Sequence, residues 1–365
     1  MGAAALAGCA PNGKPPLPPG ELLGMSHALG HRLRDGNFPA ASETRKTGVV
    51  IVGGGISGLS AAWRLANAAV DDFLVLEMES EPGGNSRAGR SPLVAYPWGA
   101  HYLPLPPREA VHVRELLAEL GVLQGDPAAE KPIYDERFLC ATPQERVYRN
   151  GLWEEGLLPH RGVDAGEREQ QRRFHERMEE LKQARGSDGR RAFAIPMELS
   201  SRDPEWRELD RVSFSEWLTS NGFTAPSLHW LANYATRDDY GTAHTQTSAW
   251  AGLHYFACRN GEAANAAADA VLTAPDGNAW LARGLAEKAG GRILSDALVW
   301  RIEEGKSSVA VDVLLGAKAV RIEARQLIWA APAFVLPRVW PAMPVGLKAA
   351  AQAGDYSPWL TANLH

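Results

Sequence analysis

The 365-residue chain has only three cysteines, Cys9, Cys140 and Cys258. They are too few and too scattered for a disulfide framework or a cysteine metal site. No apolar run reaches the length of a transmembrane helix. Formal net charge is −5, which provides no positive excess for a nucleic-acid partner. No nucleophile triad, metal-ligand cluster or paired-carboxylate motif stands out, so no side chain is assigned as a catalytic acid, base or metal ligand.

Apolar residues make up 45% of the chain, ordinary for a globular protein, and 12 tryptophans are more than this length usually carries. The length suits two lobes sharing one site. The informative stretch is Lys46 to Gly84. Val49 to Val52 is a short β-branched run of the kind that fills a buried parallel strand. It ends in Gly53-x-Gly55-x-x-Gly58, followed by small and apolar residues at helical spacing. A second apolar run, Phe73 to Leu76, stops at Glu77.

This order fits a nucleotide-binding strand–helix–strand unit. Gly53 permits the tight turn, Gly55 leaves room between backbone and pyrophosphate, and Gly58 lets the helix pack closely. The helix N-terminus at Ile56 and Ser57 presents free N–H groups to phosphate. Glu77 stands where a carboxylate accepts from ribose hydroxyls and repels a 2′-phosphate, so NADP is disfavoured. Gly83-Gly84 suits a second close approach to the dinucleotide. Arg87 is either a phosphate partner or an exposed loop arginine. Tyr96 to Tyr102 is a compact aromatic and polar run in which Gly99-Ala100, followed by His101, would admit a flat ring.

These motifs, in this order, resemble the flavin-dependent amine oxidase superfamily, which includes monoamine and polyamine oxidases, L-amino-acid oxidases, protoporphyrinogen oxidase and phytoene desaturases. The matching positions are Gly53, Gly55, Gly58, Glu77, Gly83, Gly84, Gly99 and Ala100. One departure is Asn85, which stands where the family usually has arginine after Gly-Gly. The resemblance implies an α/β fold: a Rossmann-like FAD-binding domain with a parallel sheet (46–105 and 270–345), plus an inserted substrate domain of mixed sheet and helices (106–269 and 346–365). It also implies FAD as cofactor, a small-molecule substrate, Val299 on a strand near the adenine (or simply in the core), and Ala330 where the chain returns to the nucleotide. An NAD-linked dehydrogenase and a non-catalytic flavin-binding or partner-binding protein remain alternatives. No motif after Pro332 has the form of the family's second, C-terminal flavin turn, so a truncated chain is expected.

Residues 1–45 read as a leader and linker. Met1 to Cys9 resembles the tail of a lipoprotein signal, with Leu-Ala-Gly before Cys9 as a lipid-anchor candidate, or else an Ala-rich end. The first option implies a periplasmic or membrane-anchored protein, the second a cytoplasmic one. Pro11 to Gly20 reads as an extended tether, and His27 to Pro39 as a polar surface lead-in. Glu109 to Leu120 has helical spacing, and Asn150-Gly151 marks a hairpin turn. Glu167 to Arg185 reads as a solvated helix with a narrow stripe of Phe174, Met178 and Leu181. Ser213 with Glu216 forms a helix-start box. Asn233 to Arg259 mixes aromatic residues with Asp and His, as cavity lining or as core. Within it His254 reads better as a core histidine than as a proton-transfer group.

Overall fold

A computed structural model describes residues 20–141 and 144–364; Cys9 and the leader lie outside them. The main sheet has six strands: β1 Glu43–Val52, β2 Phe73–Leu76, β3 Ile293–Leu294, β4 Ala297–Glu304, β5 Val309–Leu315 and β6 Lys318–Trp329. Their order is β3-β2-β1-β6-β5-β4. The first four in that order run parallel, and β5 and β4 are added antiparallel. The fold is therefore mixed α/β around a mainly parallel sheet.

β1 is longer than its apolar run. Its first half is polar, alternates half-buried and exposed residues, and still pairs in register, Glu43 with Val320 through Thr47 with Ala324. Only the last five residues are buried. The apolar runs Ala319 to Ile322 and Gln326 to Trp329, which read as separate strands, form one strand. β6 pairs with β1 along its length and with β5 along its first half.

The connection from β1 to β2 is the helix Ile56–Asn67. Its buried Leu59 and Trp63 pack with Trp280, Leu281 and Leu285 of the helix Ala279–Ala289. The lead-in residues also form structure. Helix His27–Asp35 sets Leu29 and Leu33 against Leu298, Leu314 and Ala319 of the sheet. Polar composition hid these two contacts.

A second core lies among four helices, Ala165–Gln183, Phe214–Ser220, Pro226–Tyr240 and Ala249–Ala257. Phe174, Met178 and Leu181 of the charged first helix are buried in it with Phe193, Phe214, Trp217 and Leu253. The opposite face carries surface pairs such as Arg172 with Glu169. The Ser213 box forms, with the Glu216 N–H donating to Ser213 Oγ at 3.1 Å and the Ser213 N–H donating to Glu216 Oε2 at 2.8 Å. The Asn150-Gly151 turn joins Arg146–Arg149 to Leu152–Glu155, and both turn residues have positive φ.

Candidate functional site

The end of β1 is a turn of three consecutive glycines, and each is held differently. Gly53 has φ of 106°, and a Cβ there would lie 2.9 Å from the Ala330 backbone. Gly54 donates its N–H to Glu77 Oε2 at 2.7 Å, and a Cβ there would meet the same carboxylate at 2.8 Å. Gly58 is tighter still: its Cβ would stand 1.8 Å from the Gly53 carbonyl oxygen. Protein packing alone therefore requires glycine at 53, 54 and 58.

Gly55 is the exception. It caps the helix Ile56–Asn67 in ordinary extended geometry, φ −75° and ψ −176°. A Cβ there would touch only Gly84 Cα, at the ordinary contact distance of 3.8 Å. The fold has room for a Cβ at this position. Ile56 and Ser57 are exposed beside it. The first intrahelical bond is from the Leu59 N–H to Gly55 O at 2.9 Å, and the amides before it have no acceptor within the helix.

The second glycine pair sits against the first. Gly83 donates its N–H to Gly54 O at 2.8 Å and bridges Gly55 in parallel. Gly84, φ 56°, would bring a Cβ to 3.2 Å from Gly55 Cα. Glu77 follows β2 directly and is 7% exposed. Its Oε1 accepts from the Glu79 N–H at 2.8 Å. Burial pushes its carboxyl above the ordinary value, and the amides of Glu79 and Gly54 oppose that shift. Each carboxylate oxygen keeps a further lone pair.

Arg87 is drawn inward. Its guanidinium pairs with Glu79 at 3.4 Å, donates to Gly84 O at 3.3 Å and lies 4.8 Å from the Trp98 ring centroid. Glu79 also accepts from the Ser26 N–H and hydroxyl at 2.8 and 3.0 Å, tying the lead-in to this loop. Gly99-Ala100 adjoins the same loop, with the Ala100 N–H donating to Asn85 O at 3.4 Å. His101 is exposed, and its Nδ1 lies 3.1 Å from Gly99 O. Ala330 donates its N–H to Val52 O at 2.8 Å. Val299 is buried in the sheet core with Val52 and Leu76, two residues beyond Ala297, whose N–H donates to Glu77 O at 2.8 Å.

A model of the NAD(P)-binding Rossmann-like domain matches residues 51–120. A putrescine oxidase solved with putrescine bound is 20% identical, with a TM-score of 0.61 over 85% of this chain and 64% of that one. The cyclohexylamine oxidase from Brevibacterium oxydans IH-35A is 19% identical, with a TM-score of 0.55 over 84% of this chain and 63% of that one. The chain shares the fold of these two oxidases. That fold also carries a CLA-producing fatty acid isomerase from P. acnes, 18% identical, with a TM-score of 0.55 over 84% of this chain and 63% of that one. The chain thus spans less than two thirds of each of these solved proteins. A search of curated proteins finds no match.

Within this amine oxidase fold, the Asn233 to Arg259 stretch divides between cleft and core. Tyr234 and Asp238 line a cleft of about 360 Å³ with Trp230, Asn233, Arg237 and Trp359. His254 belongs to the core: its Nε2 lies 2.9 Å from Ala194 O, and its ring stacks on Trp250. Burial pushes its pKa down. Arg259 joins the two halves of the chain. It donates to Tyr102 Oη at 3.2 Å and to Asp239 at 3.4 Å, and lies 4.1 Å from the Tyr255 ring centroid. Burial raises the Asp239 carboxyl, and Arg259 opposes that shift. Sequence reasoning missed Gly54, although the glycine triplet displayed it. It also missed the pairing of Arg259 with Tyr102, for which no local signal exists.

Proposed function

We infer that the chain binds FAD at the Gly53–Gly58 turn and belongs to an oxidoreductase of the amine oxidase type. The observation that carries this reading is Gly55. Its neighbours must be glycine for the protein's own packing, whereas Gly55 faces space that a Cβ would occupy without a protein clash. A pyrophosphate laid against the backbone there gives the missing reason for glycine. The amides of Ile56, Ser57 and Gly58 would receive it, aided by the helix dipole. Glu77 would accept from ribose hydroxyls with its remaining lone pairs. Gly83-Gly84 would keep side chains away from the same region, and Gly99-Ala100 would lie toward the ring. Arg87, already engaged by Glu79 and Trp98, would brace this loop and add positive charge near the phosphates.

When bound, the flavin ring would supply the acceptor for a hydride from a C–H bond, as the adjoining C–N or C–C bond of a small substrate becomes a double bond. The chain's part is to bind, orient and exclude water. The cleft at Trp230, Tyr234 and Asp238 is a candidate substrate approach, since its two stacked rings and carboxylate suit a cation or a flat molecule. The fatty acid isomerase on the same fold favours a second reading, in which the flavin chemistry gives no net oxidation.

The purified chain is expected to show the two visible absorption bands of oxidised flavin. A colourless, nucleotide-free protein overturns the reading, and bound NAD in place of flavin supports a dehydrogenase. Anaerobic bleaching by a panel of amines identifies an oxidase. Conversion of a substrate without lasting bleaching or oxygen uptake identifies an isomerase.

A further inference from the structure

Three consecutive carbonyls, those of Ala100, His101 and Tyr102, are held by one short segment. The Asn278 N–H donates to Ala100 O at 2.9 Å. The Thr273 hydroxyl donates to His101 O at 2.8 Å, and Asn278 Nδ2 donates to Tyr102 O at 2.9 Å. Gly277 completes the clamp, with φ of 59°; a Cβ there would lie 2.6 Å from Ala100 O.

The clamp fixes the orientation of the Asn278 amide. A carbonyl at Tyr102 can only accept, so the NH₂ group must face it. The amide oxygen is thereby directed elsewhere, and Asn278 Oδ1 is buried with no hydrogen-bond partner. Buried acceptors in folded proteins ordinarily have a partner. Trp98, the residue before Gly99, shows the complementary feature: its indole N–H is also buried and unpartnered. An unpaired acceptor thus belongs to the residue that holds Ala100, and an unpaired donor to the residue before Gly99. A ring edge that carries an N–H beside a carbonyl would give each of them a partner.

We propose that Asn278 is a cofactor-binding residue whose Oδ1 accepts the ring N–H of the flavin while its own N–H groups hold the Ala100–Tyr102 backbone at the ring's edge. This rests on the FAD reading above. The oxidised flavin ring has a single N–H, at N3, between two carbonyls, and requires such an acceptor. Trp98 supplies a donor of the kind those carbonyls take.

The test titrates FAD and 3-methyl-FAD, which lacks that N–H, into the flavin-free full chain, with binding read by flavin fluorescence. The wild type binds FAD about tenfold more tightly than the analogue, as expected for one hydrogen bond to a buried acceptor. Asn278→Ala binds the two equally. Thr273→Val removes only the hydroxyl bond to His101 and keeps the preference, which separates ring recognition from a loosened loop. An Asn278→Ala protein that retains the preference, or a Thr273→Val protein that loses it, overturns the proposal and leaves the FAD reading intact. A wild type that binds neither compound overturns both.

Discussion

Around Gly53–Gly58 the chain brings backbone against backbone, whereas the helices Pro226–Tyr240 and Ala249–Ala257 bring side chain against side chain. In the first region three glycines are set by contacts with main chain or carboxylate at 1.8–2.9 Å. In the second, Leu253 is buried against the neighbouring Phe214 cluster and His254 stacks on Trp250, while Trp230, Tyr234 and Asp238 line the cleft. The lesson is that a backbone site separates packing from ligand binding residue by residue. A side-chain cavity merges the two, because neighbouring side chains of one helix form both core and wall.

Substitutions sharpen that contrast. The largest effect is expected at Phe214, fully buried in the helical core: Phe214→Ala costs about 4 kcal/mol, read as a lower urea midpoint. Gly58→Ala follows, because its Cβ would meet the Gly53 carbonyl at 1.8 Å. Overpacking against backbone costs about 3 kcal/mol. Gly55→Val costs the fold only about 1 kcal/mol, as an apolar helix cap, yet weakens FAD binding about 100-fold or more by filling the space proposed for pyrophosphate. Equal losses of stability at 55 and 58, with flavin retained at 55, would erase the distinction between them.

The smallest effects are in pH dependence, and they have opposite signs in the two regions. Glu77 titrates above its ordinary 4.5 because it is buried. Its stabilising share is complete below 4.5 and is lost as pH rises through the raised folded value. His254 titrates below its ordinary 6.5, again through burial. Its share is complete above 6.5 and is lost as pH falls toward the depressed value. Stability measured across pH should therefore lose an acid-side gain in Glu77→Gln and an acid-side loss in His254→Phe. A shared sign for the two variants contradicts the assigned causes.

Much of the glycine turn at Gly53–Gly58 was legible in the sequence, since glycine at a tight turn is a backbone requirement that appears directly as residue identity. The helix-start box at Ser213 and the Asn150-Gly151 hairpin were legible for the same reason. Helix His27–Asp35 was not: its apolar packing on the sheet comes from Leu29 and Leu33 amid polar residues. The length of β1 was hidden too, because its polar half is held by pairing with β6 rather than by an apolar pattern. Arg87 read equally well as a phosphate partner or an exposed residue. Its burial depends on Glu79 and Trp98 on either side of it, a choice made only when the loop closes.

By itself, the sequence determined the strand–turn–helix order, the glycine positions and the acid at Glu77, because these follow from local backbone geometry and short spacing. Only the tertiary structure decided that Gly55 is spared by packing, that Arg259 reaches Tyr102, and that Asn278 clamps the loop after Gly99-Ala100. Those facts depend on atoms brought together from distant parts of the chain, and no local propensity encodes such distances.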